Sequence, residues 1–372
     1  MIDRETLIQT FFRERGMSER TKKGYAIPIK KYEDFTNYSI NELIDIAEKE
    51  ENQNIRWKNT KTREYLINYR EYVYSNFSLG SAQSYFGRIL TVYRHFEIEI
   101  PKLPYYSTKN SHHYAPILYD DLPDKEILKK SINIASPKIK ALILFLSSSG
   151  VSRIDACDIR IKDYLNATKD YHHCDNIYDA IGEMNDKDVI PTFFLRRKKT
   201  SQDYFTFCTH EAVNAINEYL ISREDELTSN SSLFDINYRY FGKSFERINN
   251  KLELGKVGAF NRLRAHMLRK YHATQLADAG MSTEKINLLQ GRKIRGIAHE
   301  SYIKIKTETV KEEYIKALPY LVVSDENKFK TKLEQTEEEL KIVREENKEI
   351  KNNMRKETEK IVSELLQEYL GE

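Results

Sequence analysis

Between residues 3 and 97 apolar side chains return at intervals of three and four with polar ones between, and this spacing predicts a series of amphipathic helices. They fall near Glu5–Arg13, after a Ser18 cap in SERTKKGYAIPIKKYEDF, near Ile40–Glu51, and in two longer runs near Thr60–Tyr74 and Ser81–Phe96. The period then stops. PKLPYYSTKNSHHYAPILYDDLP carries Pro101 and Pro104 and follows neither a helical nor a strand pattern, so it reads as a linker. Helical spacing resumes in DKEILKKSINIAS, becomes almost wholly apolar in PKIKALILFLSSSG, and starts afresh after Gly150. VIPTFFLRRKKTSQDYFTF instead alternates on either side of a polar turn near Lys199–Asp203, which predicts a β-hairpin, and HEAVNAINEYLISR returns to helix.

After Ser324 the sequence is dominated by charge, yet Leu340, Val343, Asn347, Ile350 and Met354 alternate steps of three and four, with Leu333 and Ile361 extending the series. That pattern predicts a coiled-coil seam in which Asn347 sets register; a single solvated helix packed on its own protein is the alternative. The expected architecture is mainly α with a small β-sheet (α+β): a helical domain over residues 1–105, a linker over 106–120, a second domain over 121–322 and a coiled-coil tail over 323–372.

Composition narrows the classes. The 372 residues are 40% apolar, enough for true cores, while no run of about 18 apolar residues could span a bilayer. The first residues, MIDRETLIQTFFRERG, lack an apolar signal region, so a cytoplasmic protein with reduced thiols is expected. Three scattered cysteines, Cys157, Cys174 and Cys208, specify neither a disulfide framework nor a zinc module. The pairs His112-His113 and His172-His173 lack partners at ligand spacing, and no metal is expected. Net charge is only +3, but the last fifty or so residues are rich in Glu, so the remainder is more basic than the average. In the N-terminal helices Lys22, Lys23, Lys30, Lys31, Arg88 and Arg94 interleave with Tyr25, Tyr32, Tyr85 and Tyr93, a mixture suited to phosphate contacts or to a solvated basic face.

One stretch stands apart. In RAHMLRKYHATQL, residues 264–276, a 100° step aligns Ala265, Leu268, His272 and Leu276 as a core stripe, with Arg269 at its edge and His266 about 60° further round. An arginine at a buried edge needs an anion, either a phosphate or carboxylate ligand or an internal Asp or Glu. Other parts of the chain supply companions: Arg153 opening a helix in GVSRIDACDIRIKDY, Lys199 at the hairpin tip in LRRKKTSQDY, and Gly291, Arg292 and Tyr302 in LLQGRKIRGIAHESYIK.

The order Arg, Lys, His-x-x-Arg, Gly, Tyr resembles the tyrosine recombinase or phage integrase family. HMLRKYHATQLADAG is similar to that family's His-x-Leu-Arg-x-x-x-Ala-Thr-x-Leu…Gly segment, INLLQGR to the segment before its next catalytic position, and Ser18-x-x-Thr-x-x-x-Tyr25 to the first helices of its core-binding domain. The wording of LLQGR is most like archaeal and archaeal-virus members. The resemblance implies an N-terminal core-binding domain, a catalytic domain, and metal-independent cutting and rejoining of double-stranded DNA through a 3′-phosphotyrosine bond, with no cofactor and a tetramer assembled on DNA. By the same resemblance Tyr302 is the nucleophile, Arg153 and Arg269 bind the non-bridging oxygens, Lys199 is the general acid, His266 exchanges the tyrosine proton, and Arg292 stands where a second histidine is usual.

Two departures matter. Arg292 can donate a hydrogen bond but cannot serve as a base. The family's Gly-x-Arg-x-x-Glu becomes Gly150-Val-Ser-Arg153-Ile-Asp155, placing Asp155 at the supporting acidic position. Lys198 remains an alternative to Lys199, and His299 either joins the site or packs at the surface. The roles open to such a protein are integrase, chromosome-dimer resolvase, type IB topoisomerase, or a catalytically silent DNA-binding protein of the same fold.

Overall fold

The computed structural model describes residues 3–109, 111–292, 306–324, 340–348, 350–352, 354–355 and 358. The chain divides into two compact units, Met1–Pro116 and Ile117–Glu372.

The first unit is helical: α1 Arg4–Glu14, α2 Glu19–Thr36, α3 Ile40–Asn52, α4 Lys61–Asn76 and α5 Leu79–His95. Local chemistry sets the ends. Ser18 caps α2, Asn37 in a left-handed conformation closes it, and Ser39 with Glu42 forms a capping box on α3. The buried Glu50 carboxylate accepts the Lys61 and Thr62 amides, so α3 supplies the cap of α4. Tyr32 and Tyr93, which alternate with basic residues in sequence, are fully buried and share a hydroxyl–hydroxyl bond of 3.0 Å. Much of the expected linker packs on this unit. Arg70 donates to the Pro104 carbonyl at 2.8 Å and lies over the Tyr106 ring, and Leu79 donates to the His112 carbonyl.

The second unit is built around α7, Pro137–Ser149, preceded by α6, Lys125–Ile134. From Ala141 to Ser149 every residue of α7 is buried, so the helix is apolar on all sides and central. Around it come α8 Arg153–Ala156, α9 Ile161–Thr168, α10 Ile177–Met184, β1 Thr192–Arg196, β2 Asp203–Phe207, α11 His210–Ile221, α12 Tyr238–Lys251, β3 Lys256–Val257, β4 Phe260–Asn261, α13 Ala265–Asp278 and α14 Thr283–Leu289. Strands β1 and β2 pair antiparallel from Thr192↔Phe207 to Arg196↔Asp203, as the alternation predicts. The two-residue strands β3 and β4 form a second, separate hairpin that the hydrophobic pattern does not announce, since two residues are too few to show a period.

Helices Thr307–Lys316 and Leu318–Leu321 return to the core, where Val310, Tyr314, Leu318 and Leu321 are buried and the Tyr314 hydroxyl donates to Ser148 O at 2.7 Å. The chain then leaves through a clamp: the buried Glu211 carboxylate accepts the Val323 amide at 2.7 Å and the Ser324 amide at 2.8 Å. In the tail, residues 340–348 are helical, and Leu340, Val343, Ile350 and Met354 are exposed. Leu333 and Ile361 lie outside the described residues. Among the described residues no helix is long and apolar enough to cross a membrane.

Candidate active site

Four segments of the second unit converge: the loop after α7, the β1–β2 turn, the first turns of α13, and the end of α14. The centre is Arg269. Its place at the edge of the stripe suggests a side chain leaning outward, yet the residue is only 5% exposed. Nη1 donates to Gly150 O and Nη2 to Gln290 O, each at 2.5 Å. One guanidinium thus joins the end of α7 to the end of α14. Burial, with Arg197 and Arg292 nearby, lowers its pKa to about 10, so it stays a cation at neutral pH.

Beneath it lies His272, fully buried with its pKa depressed to about 3, chiefly by burial. It is a neutral packing residue, as its stripe position implies. Nδ1 sits 3.0 Å from Gln290 Nε2, which also donates to Arg269 O at 2.9 Å. The imidazole explains the glycine above it: Gly150 has φ +63°, and a β-carbon there would lie 2.5 Å from His272 Nδ1. Neither Gln290 nor this use of His272 could be read from the sequence, because the bonds span eighteen to twenty-one residues.

Arg153 is the first residue of α8 and half-buried. Its guanidinium lies over the Tyr238 ring at the start of α12, 3.5 Å from the centroid. Asp155 is buried and accepts Ser152 Oγ at 2.6 Å and the Lys198 amide at 3.0 Å, so it ties the hairpin turn to the α8 loop. The contiguous cations separate in space. Arg196 pairs with Asp203, Arg197 turns inward to donate to Gly291 O at 2.7 Å, Lys198 forms an ion pair with Asp158, and Lys199 is exposed at the tip.

His266 is exposed one turn before Arg269, its pKa lowered by desolvation and by Arg264, Lys270, Arg269 and Arg292. Arg292 is half-buried, and burial with Arg197 lowers its pKa too. Among the described residues Arg197, Arg269 and Arg292 form no salt bridge with a carboxylate. Arg269, fixed by two carbonyl oxygens, and the nearby Arg292 form a cationic cluster suited to an anion, while Arg197 is engaged by Gly291 O. Tyr302 and His299 lie outside the described residues. Of two other tyrosines in this unit, Tyr271 is buried with its hydroxyl on Tyr320 O and its pKa raised by burial, whereas Tyr320 is exposed.

Residues 124–308 match the model of the phage integrase family. This segment is a phage integrase domain. No curated protein sequence matches the chain. Among solved structures it is similar to the XerH site-specific recombinase bound to difH substrate, with 18% identity, 84% of each chain covered and a TM-score of 0.50. It is also similar to the Tn1549 transposon integrase in complex with circular intermediate DNA, with 14% identity, 84% of this chain and 98% of that chain covered, and a TM-score of 0.50. These likenesses establish the fold of a tyrosine recombinase.

In the first unit, three of the basic residues suited to phosphate contacts are placed differently. Lys23 is exposed, Lys22 pairs with Glu19 at 2.6 Å, and Arg88 is turned onto α2, donating to Gly24 O with its guanidinium over Tyr25. Arg88 therefore helps pack α5 on α2. Around the integrase domain's pocket, no described group of three or more His, Cys, Asp or Glu side chains is placed to hold a metal.

Proposed function

We propose that this chain is a metal-independent, site-specific tyrosine recombinase that cuts and rejoins double-stranded DNA, acting as the integrase of a mobile or viral element of archaeal type. The observation that carries the reading is the pairing of Arg269 with Arg292, neither of which forms a salt bridge with a carboxylate among the described residues, inside a phage integrase domain. A phosphodiester supplies the missing negative charge. Its transition state carries more charge on the non-bridging oxygens than its ground state, so fixed guanidiniums favour the former.

In this mechanism the Tyr302 hydroxyl attacks phosphorus, its proton passing to neutral His266, while the 5′-oxygen leaves with a proton from Lys199. A 3′-phosphotyrosine and a free 5′-hydroxyl result. Attack by another strand's 5′-hydroxyl reverses each transfer and reseals the backbone without a nucleotide cofactor. Arg269 and Arg292 hold the oxygens from one side, and Arg153 is released from Tyr238 to complete the clamp on binding. Four protomers on two DNA sites are joined weakly through the tail, whose exposed Leu340, Val343, Ile350 and Met354 suit a coiled coil.

A DNA substrate nicked so that religation fails tests the reading. Wild type is expected to form a covalent protein–DNA adduct, and Tyr302→Phe to bind the same DNA normally without one. A band shift with no wild-type adduct would make the chain a DNA-binding protein only; relaxation of supercoils without strand exchange would make it a topoisomerase.

A further inference from the structure

Arg197 has no part in the mechanism above, yet it is the most constrained of the four consecutive cations. Its backbone closes the β1–β2 turn: Arg197 N donates to Gln202 O at 2.8 Å, and its carbonyl accepts Ser201 N at 2.8 Å and Thr200 N at 3.3 Å. Its side chain reaches the opposite wall, where Nη1 meets Gly291 O at 2.7 Å, while Nε is buried without a hydrogen-bond partner. Burying part of a guanidinium this way costs stability, so the contact needs a compensating purpose.

The Gly291 carbonyl is a fixed peg. Gly291 has φ +58°, its amide donates to Leu288 O at 2.9 Å, and a β-carbon there would come 2.7 Å from the Tyr204 ring. The next residue of the turn, Lys198, is pinned by its amide to Asp155 Oδ1. Two anchors, one on each wall of the pocket, therefore precede Lys199, which itself makes no described contact.

We propose that Arg197 is a positioning residue that hangs the general-acid turn on the Gly291 carbonyl and so holds the Lys199 ammonium at the leaving oxygen. The proposal rests on the strand-transfer reading above. Arg197 acts through Lys199 and donates no proton itself, so its loss should slow only the step that needs one.

The test uses the full-length protein, as wild type, Arg197→Gln and Arg197→Lys, in single-turnover cleavage of two nicked substrates. One has the ordinary 5′-bridging oxygen at the scissile phosphate and the other a bridging sulfur, which leaves as a thiolate without needing a proton. Arg197→Gln is expected to cleave the oxygen substrate about 10²-fold more slowly than wild type, the scale of a 1 Å misplacement, and the sulfur substrate at close to the wild-type rate. Arg197→Lys, which keeps a donor, should fall between. Because the oxygen-to-sulfur ratio is taken within one protein, any general loss of folded enzyme cancels. Equal slowing on both substrates, or an unchanged oxygen rate, overturns the proposal. If wild type itself yields no adduct on either substrate, the strand-transfer reading fails instead.

Discussion

Arg269 and Lys199, whose segments both reach the end of α14, are held in opposite ways. The guanidinium is buried, bonded to two carbonyls, and built into the junction of α7, α13 and α14. The lysine is exposed at a turn, with its anchors on the residues before it. The difference follows the work each is proposed to do. A charge that stabilises a transition state is most effective when fixed beforehand, whereas a proton donor must approach a leaving group that arrives with the DNA.

The contrast predicts separable defects. Arg269→Ala is expected to lose roughly 10²–10³ in cleavage rate and also to melt at a lower temperature, because two carbonyls lose their donor. Lys199→Ala is expected to lose about 10²–10⁴ in rate with an unchanged melting curve. Measuring melting and single-turnover cleavage on both proteins decides it; a large thermal loss in Lys199→Ala would erase the distinction.

Gly150→Ala sharpens the structural side. The added methyl meets His272 while the backbone sits in a left-handed region, so a destabilisation of roughly 2–5 kcal/mol is expected. A denaturant melt matching wild type would mean that this wall is softer than described.

The smallest expected effect concerns pH. In the proposed mechanism His266 must be neutral to accept the tyrosine proton, and desolvation, helped by its neighbouring cations, depresses its pKa below the ordinary 6.5. The cleavage rate should therefore be level through neutrality and fall only as pH drops below that ordinary value, and His266→Ala should lack this acid limb. An acid limb centred above 6.5 would show that the protonated imidazole is stabilised in the site, contrary to the surrounding charge.

The same contrast explains what the chain disclosed before folding. Helices with a clear period were legible to within a few residues, as was the β1–β2 hairpin, because backbone periodicity is a local property. The stripe of α13 was legible too, including His272 as packing. What escaped were partnerships across long separations. Arg153 meets Tyr238 and Arg197 meets Gly291, eighty-five and ninety-four residues apart, and no spacing rule encodes those choices. Strand alternation could divide RRKK into two faces, but only the position of the Gly291 carbonyl singles out Arg197. The charge of Arg88 is visible in sequence, whereas its carbonyl partner Gly24, sixty-four residues away, is not.

The clamp at Glu211 has a mechanical meaning. A carboxylate that accepts two successive amides where the chain leaves the core makes the root of the tail a grounded post. A pull transmitted along the tail is borne there, by two bonds that must yield together and by the buried Val322 and Val323. In the proposed assembly, tension between protomers would meet α11 first. A tail grounded in this way can raise the local concentration of its partners while leaving the alignment of the reacting groups undisturbed.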